Sequence, residues 1–258
     1  MKQDHGSRVE GDRSATSQLR TSTIRTATCV GLFIAIALPL VAPLLPLIGR
    51  PTDPGVHTTE VSGLTAHFTV DPDAFAGFVA SIKHDLIFKW IRSIGLILVV
   101  VVWEREPLSS IGLRKMSWSD FLAVLGGFLL VFVTDRLIDC FLPRTVPNNV
   151  QLALMLLSLP LRAGMALTAA VTEEIESRGY LLERLESITG SGLFAAVVGF
   201  LLFVLGHANS WDIAHALRIV PWTAVFIVLY MWRRNLAACM LLHFLADARP
   251  LLTMTRIT

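Results

Sequence analysis

The sequence predicts an all-α, polytopic transmembrane helical bundle of seven to eight spans, on three observations. Apolar residues make up 53% of the 258-residue chain and charged residues only 16%. Mean hydropathy is +0.62, whereas a soluble domain of this length needs more charge to cover its surface. Apolar runs also recur at lengths near the ~20 residues that carry a helix across a bilayer. The net charge of +2 says little about partners. The lipid bilayer is the expected surroundings, and no nucleic acid is expected.

Met1 to Ala27 is polar, with five basic residues (Lys2, Arg8, Arg13, Arg20, Arg25) against three acids. It is long for the basic region of a signal peptide, and reads as a disordered cytoplasmic tail, residues 1–27. Spans are expected near 28–48, 87–103, 119–142, 152–173, 191–208, 214–232 and 235–248. The first holds Pro39, Pro43 and Pro46 and is expected to kink, which a bundle tolerates when neighbours satisfy the freed carbonyls. Residues 49–86 form the long outer loop. Weak alternation through Val56–Val61 and Leu64–Val70, around Ser62-Gly63, is compatible with a small hairpin or with an irregular loop. The inner segment Ile111–Trp118 carries Arg114, Lys115 and a tryptophan suited to the headgroup layer. The chain thus divides into the tail, two N-terminal helices in 28–104 and a core in 105–258.

Loop charge orients the bundle. The inner segments 1–27, 104–118, 174–190 and 233–234 hold twelve Lys and Arg; the outer segments 49–86, 143–151, 209–218 and 249–258 hold six. The bias puts the amino terminus in the cytoplasm, and the compact size leans towards a bacterial cytoplasmic membrane. Cys29, Cys140 and Cys239 stand apart, each in an apolar run. That spacing suggests neither disulfides nor a thiolate metal site, and predicts buried, inert thiols.

Ionisable residues inside a membrane are costly and mark function by default. Three stretches qualify: Thr172-Glu173-Glu174-Ile175-Glu176-Ser177-Arg178, Phe203 to His207, and His243 to Asp247. On an α-helix Glu174 and Arg178, four apart, share a stripe and can pair. Glu173 turns away from that pair, beside Ser177. With weaker compensation in a dry site, it is expected to suit base catalysis. His243 and Asp247 share a face at the same spacing, so Asp247 can orient His243 or help bind an oxyanion. An exposed helix end with ordinary surface charges is the competing reading of the first stretch. His215, with Asp212 and Arg218, reads as surface. Asp135, Arg136 and Asp139 are expected to pair locally in a structural role.

These motifs resemble, in order, those of the CAAX-protease and bacteriocin-processing family of intramembrane proteases. They read Glu173-Glu174-x-x-x-Arg178, Phe203-x-x-x-His207 and His243-x-x-x-Asp247, with Ile111-Gly112-Leu113-Arg114 upstream; the resemblance covers roughly 105–248. It implies a membrane hydrolase, resembling type II CAAX prenyl endopeptidases, that cuts peptide or protein substrates. It also implies roles: Glu173 activates water with His207, Glu174 and Arg178 support, and His243 with Asp247 surrounds the oxyanion. Asp247 replaces the neutral Asn of other members, and an anion there repels an oxyanion unless it is protonated or bound to His243 or a metal.

The family has also been described as metalloproteases. A single zinc on Glu173, His207 and His243 is therefore the alternative to metal-free water activation. Two further alternatives are a non-catalytic immunity or scaffold protein and a proton-coupled transporter. All versions of the site require helix four to run past Arg178 through Leu182. If it ended near Val171, Glu173 and His207 would lie roughly 20 Å apart.

Overall fold

The computed structural model describes residues 25–39, 53–62, 65–141, 149–210 and 213–253. The expected tail, apart from Arg25 to Ala27, and the proline-rich end of the first span lie outside them. A first helix, α1, covers Arg25–Pro39. Strands β1 (Val56–Ser62) and β2 (Thr65–Val70) pair antiparallel, so the alternation read from the sequence does make a hairpin.

Helix α2 (Pro72–Leu98) starts where Asp71 accepts hydrogen bonds from the amides of Asp73 and Ala74, with Pro72 in the first turn. The Asp71 side chain thereby satisfies amides that have no partner within the helix, and Pro72 has no amide to lose. The long loop expected over 49–86 is corrected by this cap: its second half is helix. The helix continues as a π-helical stretch, Val99–Glu104, which ends at Arg105 with φ 58°. A 3-10 turn (Leu108–Ile111) and Gly112, at φ 74°, lead to α3 (Trp118–Phe141). Ser117 and Asp120 cap α3 reciprocally, the Ser117 amide donating to Asp120 and the Asp120 amide to Ser117 Oγ.

The expected fourth span, 152–173, is corrected as well. Two helices, α4 (Asn149–Leu156) and α5 (Leu159–Glu174), meet at a bend of 115°. Pro160 sits in the first turn of α5, after an extended Ser158, so it marks a true start rather than a kink. Beyond Glu174 the backbone runs on as a π-helix, Ile175–Leu182, and then as α6, Glu183–Thr189. Helices α7 (Gly192–Ser210), α8 (Ile213–Arg233) and α9 (Leu236–Thr253) complete the chain.

Among the described residues the fold is all-α apart from the hairpin. Helix α5 packs chiefly on α9, α7 on α8, and α3 on both α8 and α9, while α2 lies against α5. The main core gathers Leu96, Val100, Tyr180, Phe226, Tyr230 and Leu242. A smaller one, with Val56, Phe78, Ile82 and Leu157, joins the hairpin to α2 and α4. Two helical runs, Pro72–Glu104 and Trp118–Phe141, are long and apolar enough to cross a membrane among the described residues, and a third if the bent pair counts as one span. Length and composition therefore give two or three spans where the hydropathy predicted seven to eight.

Two smaller expectations change. Asp135 and Asp139 pair across helices, with Arg249 of α9 and Arg218 of α8. Arg218 is accordingly no loose surface residue; the side chains of His215 and Asp212 lie outside the described residues. Cys239 is buried, but Cys29 and Cys140 are exposed.

Candidate functional site

Glu173 and Glu174 end α5, and successive residues on a helix point about 100° apart. One carboxylate therefore faces α2, while the other faces α9. Glu174 is fully buried and accepts through Oε1 from Arg178 Nη1 at 3.0 Å; the same oxygen meets His243 Nδ1 at 2.8 Å. The pairing read from the four-residue spacing is present, and His243 joins it. Two charges this deep are tolerated because each has a partner of opposite sign with hydrogen-bonding geometry.

The Arg178 guanidinium also lies over Phe203, 4.5 Å from the ring centroid, and 5.7 Å from that of Phe226. A desolvated guanidinium over an aromatic face contributes up to about 2 kcal/mol. Phe203 touches the histidines too, with ring centroids 4.5 Å from His207 and 6.3 Å from His243. The phenylalanine of the second motif is thus the hub on which Arg178 and both histidines rest.

His207 is fixed from its own helix. Its Nδ1 is 2.9 Å from the Phe203 carbonyl, which can only accept, so Nδ1 carries the proton and Nε2 is left for chemistry. On His243 each nitrogen faces a carboxylate: Nδ1 faces Glu174, and Nε2 lies 3.4 Å from Asp247 Oδ2. The Asp247 carboxylate is therefore tied to His243.

Glu173 departs from expectation. Lys89 of α2 donates to its Oε1 at 2.8 Å, so the weak compensation read from the sequence is corrected to a direct ion pair. Both side chains are largely buried, 17% exposed for Glu173 and 18% for Lys89. Glu173 is next in the chain to Glu174, whose carboxylate meets His243. One turn further on, Glu176 is gripped by Arg92 through two hydrogen bonds, 3.2 and 2.9 Å, and by Ser93 at 3.2 Å.

Sequence reasoning missed Lys89, Arg92 and Ser93. The signal was present: two cations inside the expected span 87–103, where every ionisable residue asks for a partner.

The expected burial of Glu173 depended on the length of its helix. The continuous run from Leu159 to Thr189 supplies it, carrying Glu173 mid-run to face α2. The zinc alternative fares differently. Among the described residues no three His, Cys, Asp or Glu side chains are grouped to hold a metal ion. Lys89 holds Glu173, and both nitrogens of His243 face other carboxylates. The donor set named for zinc does not fit one as it stands, and no step is derived through it.

No curated protein and no solved structure matches the chain. Residues 153–249 match the family described as type II CAAX prenyl endopeptidase Rce1-like. That match includes all six candidates, Glu173, Glu174, Arg178, His207, His243 and Asp247, and stops short of Ile111–Arg114 and of α2. The three motifs run in order through α5, α7 and α9 inside the matched segment, so residues 153–249 are similar to that family.

Proposed function

We propose that the protein is an integral-membrane endopeptidase that hydrolyses a peptide bond with water activated by Glu173. The observation that carries this reading is the meeting of His207, a doubly held His243 and Arg178 on Phe203, with Glu173 next in the chain to the Glu174 that pairs with His243. Similarity to the type II CAAX prenyl endopeptidase Rce1-like family supports a peptide substrate at the membrane, ending in a prenylated CAAX sequence.

The chemistry follows from the hydrogen bonds. With Oε1 of Glu173 taken by Lys89, Oε2 is the oxygen that accepts a proton from water as the water oxygen attacks the scissile carbonyl. His207 Nε2 accepts from the same water and orients its lone pair. The carbonyl oxygen becomes an oxyanion, and His243 Nε2–H, held by Asp247 only at 3.4 Å, turns from that carboxylate to donate to it. Collapse of the tetrahedral intermediate breaks the C–N bond, and the proton on Glu173 passes to the leaving amine. Glu174 and Arg178 hold His243 throughout.

In this reading residues 105–258 form the hydrolytic core, 28–104 the two helices preceding it and 1–27 a tail. The amino terminus is cytoplasmic, and the membrane is a bacterial cytoplasmic one.

The test is cleavage of a farnesylated CAAX peptide by the purified protein in lipid vesicles. Glu173→Gln and His207→Ala are each expected to lower kcat by on the order of 10²–10⁴. Expression should be retained, and Glu173→Gln should lose little thermal stability because Lys89 keeps Asp85 within 3.7 Å. Unchanged cleavage by Glu173→Gln would remove Glu173 from the mechanism. An inert wild type would favour the non-catalytic immunity or scaffold protein, and ion-dependent flux without proteolysis the transporter.

A further inference from the structure

Helix α2 lies wholly outside the family segment 153–249, yet it supplies the direct partner of Glu173. Its residues Lys89, Arg92 and Ser93 are spaced three and four apart, so they share one face. That face meets Glu173 and Glu176, themselves three apart. Lys89 takes Glu173 at 2.8 Å, while Arg92 and Ser93 take Glu176. Trp90 Nε1 donates to Thr168 Oγ1 at 3.1 Å one turn earlier on α5, and Ser93 Oγ donates to the Thr172 carbonyl at 3.4 Å. The seam is polar over two turns of both helices, and this fixes their register.

The two ion pairs in the seam differ. Arg92 and Glu176 are each 7% exposed and hold each other by two hydrogen bonds, as a structural clamp does. Lys89 makes a single contact to one oxygen of Glu173, and Asp85, one turn back, lies 3.7 Å from its ammonium. A single-point cation fixes the carboxylate and leaves the second oxygen for another partner.

We infer that Lys89 is a positioning residue, which holds the Glu173 carboxylate so that its second oxygen faces the substrate water. The inference rests on the base proposed above. Helix α2 thereby completes a site whose motifs all lie in the later helices. Beside Glu173 on the same seam stand Asp85, 3.7 Å from the Lys89 ammonium, and Glu176 with its Arg92 clamp. Lys89 is the cation among them that bonds Glu173 directly.

The experiment compares wild type, Lys89→Met, Lys89→Gln, Lys89→Arg and Glu173→Gln in vesicles on a farnesylated CAAX peptide, with Arg92→Met as the structural control. Lys89→Met is expected to lower kcat by roughly 10²-fold, the effect of a reacting group misplaced by about an ångström. KM should be unchanged, since no binding contact is lost. Lys89→Arg should recover most of the rate because it restores the cation. Arg92→Met should instead lower the melting temperature. Wild-type kcat in Lys89→Met, with Glu173→Gln inactive, would overturn the role of Lys89 and leave the base intact. Failure of both Lys89→Met and Lys89→Gln to fold would assign Lys89 to structure and overturn it as well. An inert wild type, or an active Glu173→Gln, would overturn the base and this inference together.

Discussion

Glu174 shows how one carboxylate can organise a buried site without reacting. It lies between Arg178 and His243 with no exposure, so its charge is held by two partners. Truncating one partner of such a group strands the others in a dry interior, which costs about 3–5 kcal/mol. Arg178→Met is therefore expected to lower stability by about that amount in a denaturation titration in micelles. Activity should fall with the fold. Asp247 should behave differently. Its contact with His243 is long, at 3.4 Å, and its side chain is 27% exposed. An Asn carbonyl can still accept from His243, so Asp247→Asn should lower kcat by less than about tenfold, within the ~1 kcal/mol of one such bond. A larger loss would mean that the negative charge of Asp247, and not its geometry, serves His243.

The first motif lies at the entry to a π-helix. An α-helical wheel assumed for Glu173 to Arg178 fails over Ile175–Leu182, where the backbone bonds reach one residue further. The Glu174–Arg178 pair survives because Glu174 is still the last residue of α5. A second π stretch, Val99–Glu104, brings Glu104 to the far end of the first. There it accepts from Tyr180 at 2.7 Å and from Arg184 at 2.9 and 2.6 Å. The two irregular stretches are thus tied to one another.

Gly179 allows a third approach to the same turn. A Cβ there would meet Leu236 Cδ2 at 2.9 Å and the Ile111 carbonyl at 3.3 Å. The leucine tip can give way, but the carbonyl belongs to backbone. Gly179→Val should cost about 1–3 kcal/mol by overpacking, seen as a lower melting temperature. Gly190→Ala, with nothing within 4 Å but φ at +70°, should cost less, about 1 kcal/mol, from backbone strain alone.

At the scale of the whole molecule, the apolar residues divide into a core and an outward face. Ile87, Ile91, Ile94 and Leu98 form an exposed stripe along α2, and Leu122, Leu125 and Leu129 another along α3. Contiguous exposed apolar surface of this kind calls for a lipid environment. Spin labels at Ile91 and Leu129 should collide more with oxygen than with a water-soluble nickel complex when the protein is in vesicles. The reverse ranking would expel these helices from the bilayer.

Much of the site was legible because it is local. The four-residue spacings of Glu174 with Arg178 and of His243 with Asp247 are properties of single helices, and both pairs form. The hairpin was one of two readings of the alternation, while the break between α4 and α5 fell inside the expected fourth span. Composition and hydropathy by themselves determined a helical chain with an apolar surface, and motif order determined which residues to watch. The tertiary structure decided what the sequence could not express. It joined Lys89 to Glu173 across 84 positions and Glu174 to His243 across 69, and it exchanged the local pairing of Asp135 and Asp139 for partners on α9 and α8. The physical reason is that a buried charge is satisfied by whichever counter-charge packing brings within hydrogen-bond reach, and packing between helices leaves no fixed spacing in the chain.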